Sequence, residues 1–211
     1  MYEDRLRRIE EHGPYPRVWL DVGCGGGGML ECASNAGFQV EGIEPGPSAR
    51  IARSRLGHSV YETDLKGART RFLFDGYGVV SYFHVLEHVY DPLAELQLAR
   101  GILAQNGLLV LEVPYFDSIS WRLLGSRHRH FYRGHRSYFN SRSLARLLHR
   151  AGYSIEVCEV VPYWVSVDWL LMRVGGAFDR FRRFLPEAIG NRLLRIDLRD
   201  VLMAIAKKSE S

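Results

Sequence analysis

Apolar runs of strand length alternate with helically spaced apolar residues through the first half of the chain. Arg17–Val22 and Gly78–Phe83 are short continuous runs, Gln39–Ile43 alternates, and His58–Glu62 is a weaker strand pattern. Between them, Met29, Leu30, Cys32, Ala33 and Ala36 recur as on one helix face, and Ser48–Leu56 predicts another helix. Asp91-Pro92 opens a helix through Leu103, Asn106-Gly107 predicts a turn, and Leu108–Val113 is the next strand, stopped by Pro114. Tyr2–Glu11 precedes all of this as a polar helix ended by Gly13-Pro14-Tyr15-Pro16. Strands alternating with helices of about 10–15 residues predict βαβ units and a parallel sheet.

The second half is less regular. Asp117–Asn140 has no clear period and is rich in Arg, His and aromatic residues, which predicts a long functional loop. Ser141 is the expected cap of a helix ending near Gly152, and Tyr153–Val161 alternates as a strand. Val165–Ile196 has a helical pattern broken at Gly175-Gly176 and Pro186, and Asp200–Lys207 is a last buried strand. No repeat or low-complexity tract is present, and a chain of 211 residues is expected to form one domain, 1–211.

Composition narrows the setting. Cys24, Cys32 and Cys158 form no CxxC pair, and Met1–Arg17 is too charged for a signal peptide. No apolar run is long enough for a membrane span, so a reduced, cytoplasmic protein is expected. The net charge is +4, and lysine occurs only at Lys66, Lys207 and Lys208, leaving arginine as 25 of the 28 basic residues. Guanidinium groups suit anion recognition, but one short cluster without a basic face elsewhere predicts no nucleic-acid partner.

The chemistry concentrates after Val18–Val22. Five of the six residues from Gly23 to Gly28 are glycine, placed between a strand end and a helix start, where nucleotide-like ligands bind in α/β sheets. Gly23-x-Gly25-x-x-Gly28 satisfies the dinucleotide fingerprint. The same residues also form Asp21-x-Gly23-x-Gly25-x-Gly27. A carboxylate at Asp21 repels pyrophosphate and can hold an ammonium, which favours S-adenosylmethionine over a nicotinamide cofactor. Glu44 ends the second strand where it can accept ribose hydroxyls, and Asp64 follows the third, placed for an adenine amino group.

Leu20-Asp21-Val22-Gly23-Cys24-Gly25, Gly42-Ile43-Glu44-Pro45 and His84-Val85-Leu86-Glu87-His88-Val89-Tyr90-Asp91-Pro92 together resemble a class I S-adenosylmethionine-dependent methyltransferase. The nearest flavour is the bacterial group that includes the ubiquinone-biosynthesis O-methyltransferases. The resemblance implies an α/β Rossmann-like sheet of seven strands in the order 3-2-1-4-5-7-6, last strand antiparallel. It implies that Asp21, Gly23, Cys24, Gly25, Gly27, Glu44, Asp64, Leu65, Phe83 and His84 bind the donor. One departure is Phe74-Asp75, displaced from the acidic residue that often opens strand four.

Five of the eight histidines fall in two segments expected at one edge of the sheet. His84, Glu87 and His88 share i, i+3, i+4 spacing. The resembling enzymes carry Glu, Glu and His there as a metal-assisted site, but a packing role is the expectation, with no metal. In the acceptor-side loop 114–140, His130 or His135 is the expected base, with His88 a further catalytic candidate. Arg133 and Arg136 are expected to clamp an anionic acceptor. A basic amphipathic helical insertion, 163–197, is expected to cover the site or a homodimer interface, with peripheral membrane contact an alternative. The chain is thus expected to methylate a small-molecule or lipid-linked acceptor, at oxygen. A non-catalytic scaffold and a nicotinamide-dependent oxidoreductase are the alternatives.

Overall fold

The computed structural model describes residues 2–13, 15–68, 70, 72–74, 76–128, 130–131, 133–166 and 193–209. Its sheet has seven strands in the order β3-β2-β1-β4-β5-β7-β6. β1 (Val18–Val22), β2 (Gln39–Ile43), β3 (Val60–Tyr61), β4 (Tyr77–Phe83) and β5 (Leu103–Pro114) pair in parallel. β7 (Leu193–Lys208) runs antiparallel to β5 and to β6 (Tyr153–Ser166). The expected order and the antiparallel last strand are both present.

Side chains alternate across this sheet, so each strand feeds two cores. Leu20, Val80, Leu109, Leu111 and Leu202 enter one core, and Trp19, Val79, Leu108, Val110 and Met203 the other. Helices α1 (Tyr2–Glu10) and α2 (Gly28–Asn35) supply Leu6, Ile9 and Leu30 to the second core. Helices α5 (Pro92–Ile102) and α7 (Ser141–Arg150) supply Leu96, Leu144 and Leu148 to the first. Full burial of each such side chain is worth about 1.5–3 kcal/mol, which fixes strand register. Glu41 of β2 is a buried exception. The hydroxyls of Tyr61 and Tyr77 both donate to its carboxylate, as does Leu73 N–H at 3.4 Å.

Several boundaries differ from the sequence expectation. β3 is only Val60–Tyr61, preceded by a tight turn at Gly57–Ser59, and a short helix α4 (Leu65–Ala68) follows it. β5 starts directly after α5, with Leu103 beside Tyr77, so the expected turn at Asn106-Gly107 lies inside a strand whose register shifts there. The expected loop 117–140 contains α6 (Ile119–Leu124), opened by the Ser118 hydroxyl accepting Trp121 N–H at 3.1 Å. Ile119 and Leu123 point outward, 67% and 80% exposed, so no apolar face revealed that helix. Strand β6 continues to Ser166 and β7 begins at Leu193, so both flanks of the expected insertion 163–197 are strand rather than helix. Residues 167–192 of that insertion, and Asp75, lie outside the described residues.

The cap of α3 (Ala49–Leu56) makes no side-chain bond, but that of α7 does, and at Asn140 rather than Ser141. Asn140 Oδ1 accepts Ser143 N–H at 2.8 Å while Ser143 Oγ accepts Asn140 N–H at 2.9 Å. Losing such a cap costs about 1 kcal/mol. Urea unfolding is therefore expected to show Asn140→Ala destabilised by about 1 kcal/mol and Ser141→Ala within roughly 0.5 kcal/mol of the parent. The reverse ranking would place the cap at Ser141.

Candidate active site

The carboxyl ends of β1 and β4 border a cavity of about 230 Å³ lined by residues that include Tyr2, Arg5, Asp21, Gly23, Gly25 and His84. The glycine turn forms its floor and is pinned to β2. Gly23 and Cys24 N–H groups both donate to Ile43 O, at 2.7 and 2.9 Å, and Gly25 N–H donates to Glu44 Oε2 at 2.9 Å. Gly23 has φ +72°, and a Cβ there would lie 2.3 Å from the Val85 side chain. Gly25, at φ +54°, has nothing within 4 Å of where a Cβ would stand, so it opens onto free space. Gly27 differs from the expectation. It faces Ala52 and Leu56 of α3 and does not line the cavity, so its role is to let α2 start close to α3.

Asp21 sits beneath the turn, buried, in a polar relay. Trp19 Nε1–H donates to Ser81 Oγ at 2.8 Å, and Ser81 Oγ–H donates to Asp21 Oδ1 at 2.6 Å. Burial pushes the Asp21 carboxyl up to about 7, against the pull of Ser81 and Arg5. Cys24 also lines the cavity, but burial pushes its thiol up to about 12, which makes it unreactive. Phe83 lies below the Arg5 guanidinium at 4.7 Å, and Arg5 donates from Nε to Glu112 Oε1 at 2.8 Å and from its other arm to Oε2. Helix α1 thereby closes one wall.

The remaining donor-side expectations are placed more loosely. Glu44 Oε1 also accepts Gly46 N–H at 2.7 Å, and each carboxylate oxygen keeps a lone pair for a ribose hydroxyl. Asp64 Oδ1 accepts Gly67 N–H at 2.7 Å, which starts α4, and Leu65 is buried in the core rather than at the cavity.

Beyond the cavity the histidines gather. His84 follows β4 in a left-handed conformation, φ 58°, with its N–H donating to Glu112 O at 2.8 Å. Its ring stacks on His130 at 6.1 Å, and His130 stacks on His135 at 6.3 Å. His88 is exposed. Its Nδ1 lies 3.0 Å from Gly134 O, and Glu87 O accepts Arg136 and Ser137 N–H at 2.7 and 3.1 Å. The Leu86-Glu87-His88 segment therefore latches the acceptor-side loop. Glu87, His88 and His135, rather than His84, Glu87 and His88, bring a carboxylate oxygen and two ring nitrogens within 4.8 Å of one another, a set able to take a divalent cation. Arg133 and Arg136 are both exposed, and the Arg136 guanidinium stacks over Tyr90 at 4.4 Å.

A family model described as a methyltransferase domain matches residues 1–157. The chain belongs to that family. Its methyl donor is S-adenosylmethionine, and the cavity fits it. Gly25 leaves open space and Asp21 offers a carboxylate to an ammonium. The methyltransferase is similar to a ubiquinone biosynthesis O-methyltransferase of Histophilus somni, 28% identical over 189 residues, covering 78% of this chain and 79% of that one. It is 33% identical over 113 residues to one from Haemophilus ducreyi, covering 49% and 48%. Its fold matches an S-adenosylmethionine-dependent methyltransferase from Archaeoglobus fulgidus at TM-score 0.66 and 21% identity, covering 99% and 95%. It also matches the Burkholderia thailandensis 1,6-didemethyltoxoflavin-N1-methyltransferase, solved with S-adenosylhomocysteine, at TM-score 0.60 and 16% identity, covering 99% and 78%.

Sequence reasoning missed Tyr2, Arg5, Ser81, Glu112 and Asp200 in this methyltransferase. Ser81 and Glu112 did carry a signal, each being a polar residue inside an otherwise apolar strand run. Tyr2 and Arg5 carried none, because nothing in a polar helix says which residues fold over a distant loop. Among the described residues no helix is long and apolar enough to cross a membrane.

The Asp21 carboxyl remains protonated in the folded chain at pH values where an unfolded aspartate has ionised. The folded state thus holds the extra proton, and stability is expected to fall as pH rises from about 4 to about 7, by at most ~4 kcal/mol, then level off. In Asp21→Asn this contribution disappears. Urea unfolding at a series of pH values checks it, and an unchanged slope in the variant would assign the dependence elsewhere.

Proposed function

We propose that this methyltransferase carries the methyl group of S-adenosylmethionine to an oxygen of a small-molecule or lipid-linked acceptor, with His130 as general base. The observation that carries the reading is the stack of His130 on His84, the residue at the lip of the donor cavity. When bound, the donor supplies an electrophilic methyl on a sulfonium. The chain's residues then have mainly to position and to move one proton. Asp21 ionises against the donor's ammonium, Arg5 and Glu112 close the wall, and His130 takes the proton from the acceptor hydroxyl. Exposed Ile119, Leu123 and Phe131, beside the histidines in sequence, support an acceptor with an apolar tail. Arg133 at the same loop supports an anionic head group. The named relatives are O-methyltransferases, which supports oxygen as the methylated atom.

The family match and the antiparallel β7 leave no support for a nicotinamide-dependent reading. A non-catalytic scaffold would bind the donor and methylate nothing. A labelled-methyl screen across phenols, lipid-linked phenols and carboxylates separates the two. Label is expected in a phenolic product, and label in none of them would contradict the proposal. By calorimetry Asp21→Asn is expected to weaken donor binding roughly tenfold to a hundredfold, the worth of a charge-assisted bond. His130→Gln should leave that binding unchanged and lower turnover roughly a hundredfold.

The expected role of the Glu87-His88 segment is to latch the acceptor-side loop, through the Glu87 carbonyl and His88 Nδ1, so turnover is expected to survive chelator treatment. Its abolition, with recovery on adding back a divalent cation, would give Glu87, His88 and His135 to a metal.

A further inference from the structure

Strand β7 leaves the ladder at one place. Between the pairs Val161↔Val201 and Tyr163↔Ile196, the single residue Pro162 of β6 lies opposite residues 197–200 of β7. Proline has no N–H to give the ladder, and Arg199 takes a left-handed φ of 50°. Non-glycine residues are held in that region where surrounding structure imposes it, often at functional sites. The bulge ends at Asp200. Its carbonyl accepts Tyr115 N–H at 2.8 Å, just beyond the end of β5, and the residue is 1% exposed.

The Asp200 carboxylate meets two imidazoles. Oδ2 lies 3.5 Å from His128 Nε2 and 3.8 Å from His130 Nε2. The two rings differ in surroundings. His130 N–H donates to His128 Nδ1 at 3.2 Å, so that nitrogen carries the lone pair and the neutral His128 ring has its proton on Nε2. That side also faces Ser120 Oγ at 3.1 Å. His128 is buried against Trp121 at 4.6 Å between ring centroids, away from an incoming acceptor. His130 is more open and stacks on His84 at the donor cavity. Among the described residues, the other ionisable rings against His130 are His84, His128 and His135.

We propose that Asp200 is a positioning residue. It keeps the proton of neutral His130 on Nε2 and leaves Nδ1 as the lone pair that receives the acceptor's proton. A carboxylate orienting a catalytic imidazole fixes both its tautomer and its ring plane. The proposal rests on His130 as the base. As the acceptor oxygen bonds to the methyl carbon, the carbon–sulfur bond breaks with its electron pair staying on sulfur. The acceptor's proton passes to His130 Nδ1. The products are methylated acceptor, thioether and an imidazolium that faces the Asp200 carboxylate and later releases its proton to solvent.

Nitrogen-15 spectra of the imidazole rings, recorded on the full chain without acceptor, test this directly. His130 is expected as the Nε2–H tautomer in the parent and as a mixture, or as Nδ1–H, in Asp200→Asn, with Asp200→Glu returning it towards the parent pattern. An Nδ1–H tautomer in the parent overturns the proposal, even if Asp200→Asn fails to fold. So does a tautomer indifferent to Asp200 in a folded variant. Kinetically, Asp200→Asn should lower kcat roughly tenfold to a hundredfold, with donor affinity unchanged. That loss should vanish in the His130→Gln background, and additive losses overturn the proposal. A parent with the expected tautomer that methylates no acceptor would sink the functional reading and leave the role of Asp200 standing.

Discussion

Buried carboxylates at the working edge of the sheet organise this molecule. Asp21 and Glu112 lie near the carboxyl ends of β1 and β5, Asp200 lies at the bulge within β7, and each is at most 3% exposed. An ionised carboxylate in such surroundings is costly unless donors or cations meet it. Each therefore recruits a different part of the chain. Asp21 takes Ser81 from the neighbouring strand, Glu112 takes Arg5 from the N-terminal helix, and Asp200 takes His128 and His130 from the acceptor-side loop. The N-terminal wall and the acceptor-side wall are in this sense consequences of where the acids stand.

The three acids also divide the labour. Asp21, held neutral by burial until about pH 7 despite the hydrogen bond from Ser81, gains a charge worth having only when an ammonium arrives. Glu112 is already committed to Arg5 and shapes the cavity instead. Asp200 faces imidazoles, whose protonation suits proton transfer near neutrality. Between donor cavity and acceptor loop stands His84. Its left-handed backbone lets it leave β4, bond to β5 through its N–H and carry its ring against His130.

How much of this was legible depends on how local the signal was. The strand-turn-helix at Asp21 and its glycines is contiguous, so the cavity floor could be read from the sequence, whereas the strand order followed only from the family resemblance. Gly27 looked like a ligand-side glycine, yet contact with α3 decides it, and that contact is long-range. Helix α6 was hidden because Ile119 and Leu123 face out and only Trp121 turns inward among its described apolar side chains. The cap of α7 was misplaced by one residue because Asn140 and Ser141 have similar capping chemistry and only the bond geometry separates them. Glu112 showed itself as an acid within an apolar run, whereas Asp200 follows Arg199 at the head of one and gave no such signal. Their partners Arg5, His128 and His130 are far away in sequence, and no periodicity links them.

The most direct measurement is a crystal structure of the full chain with S-adenosylhomocysteine. The product's amino-acid end should lie against Asp21 and the Gly23–Gly25 turn, with its sulfur on the side of His84 and His130. A ligand bound outside this cavity, or with its sulfur turned away from the histidines, would contradict the account.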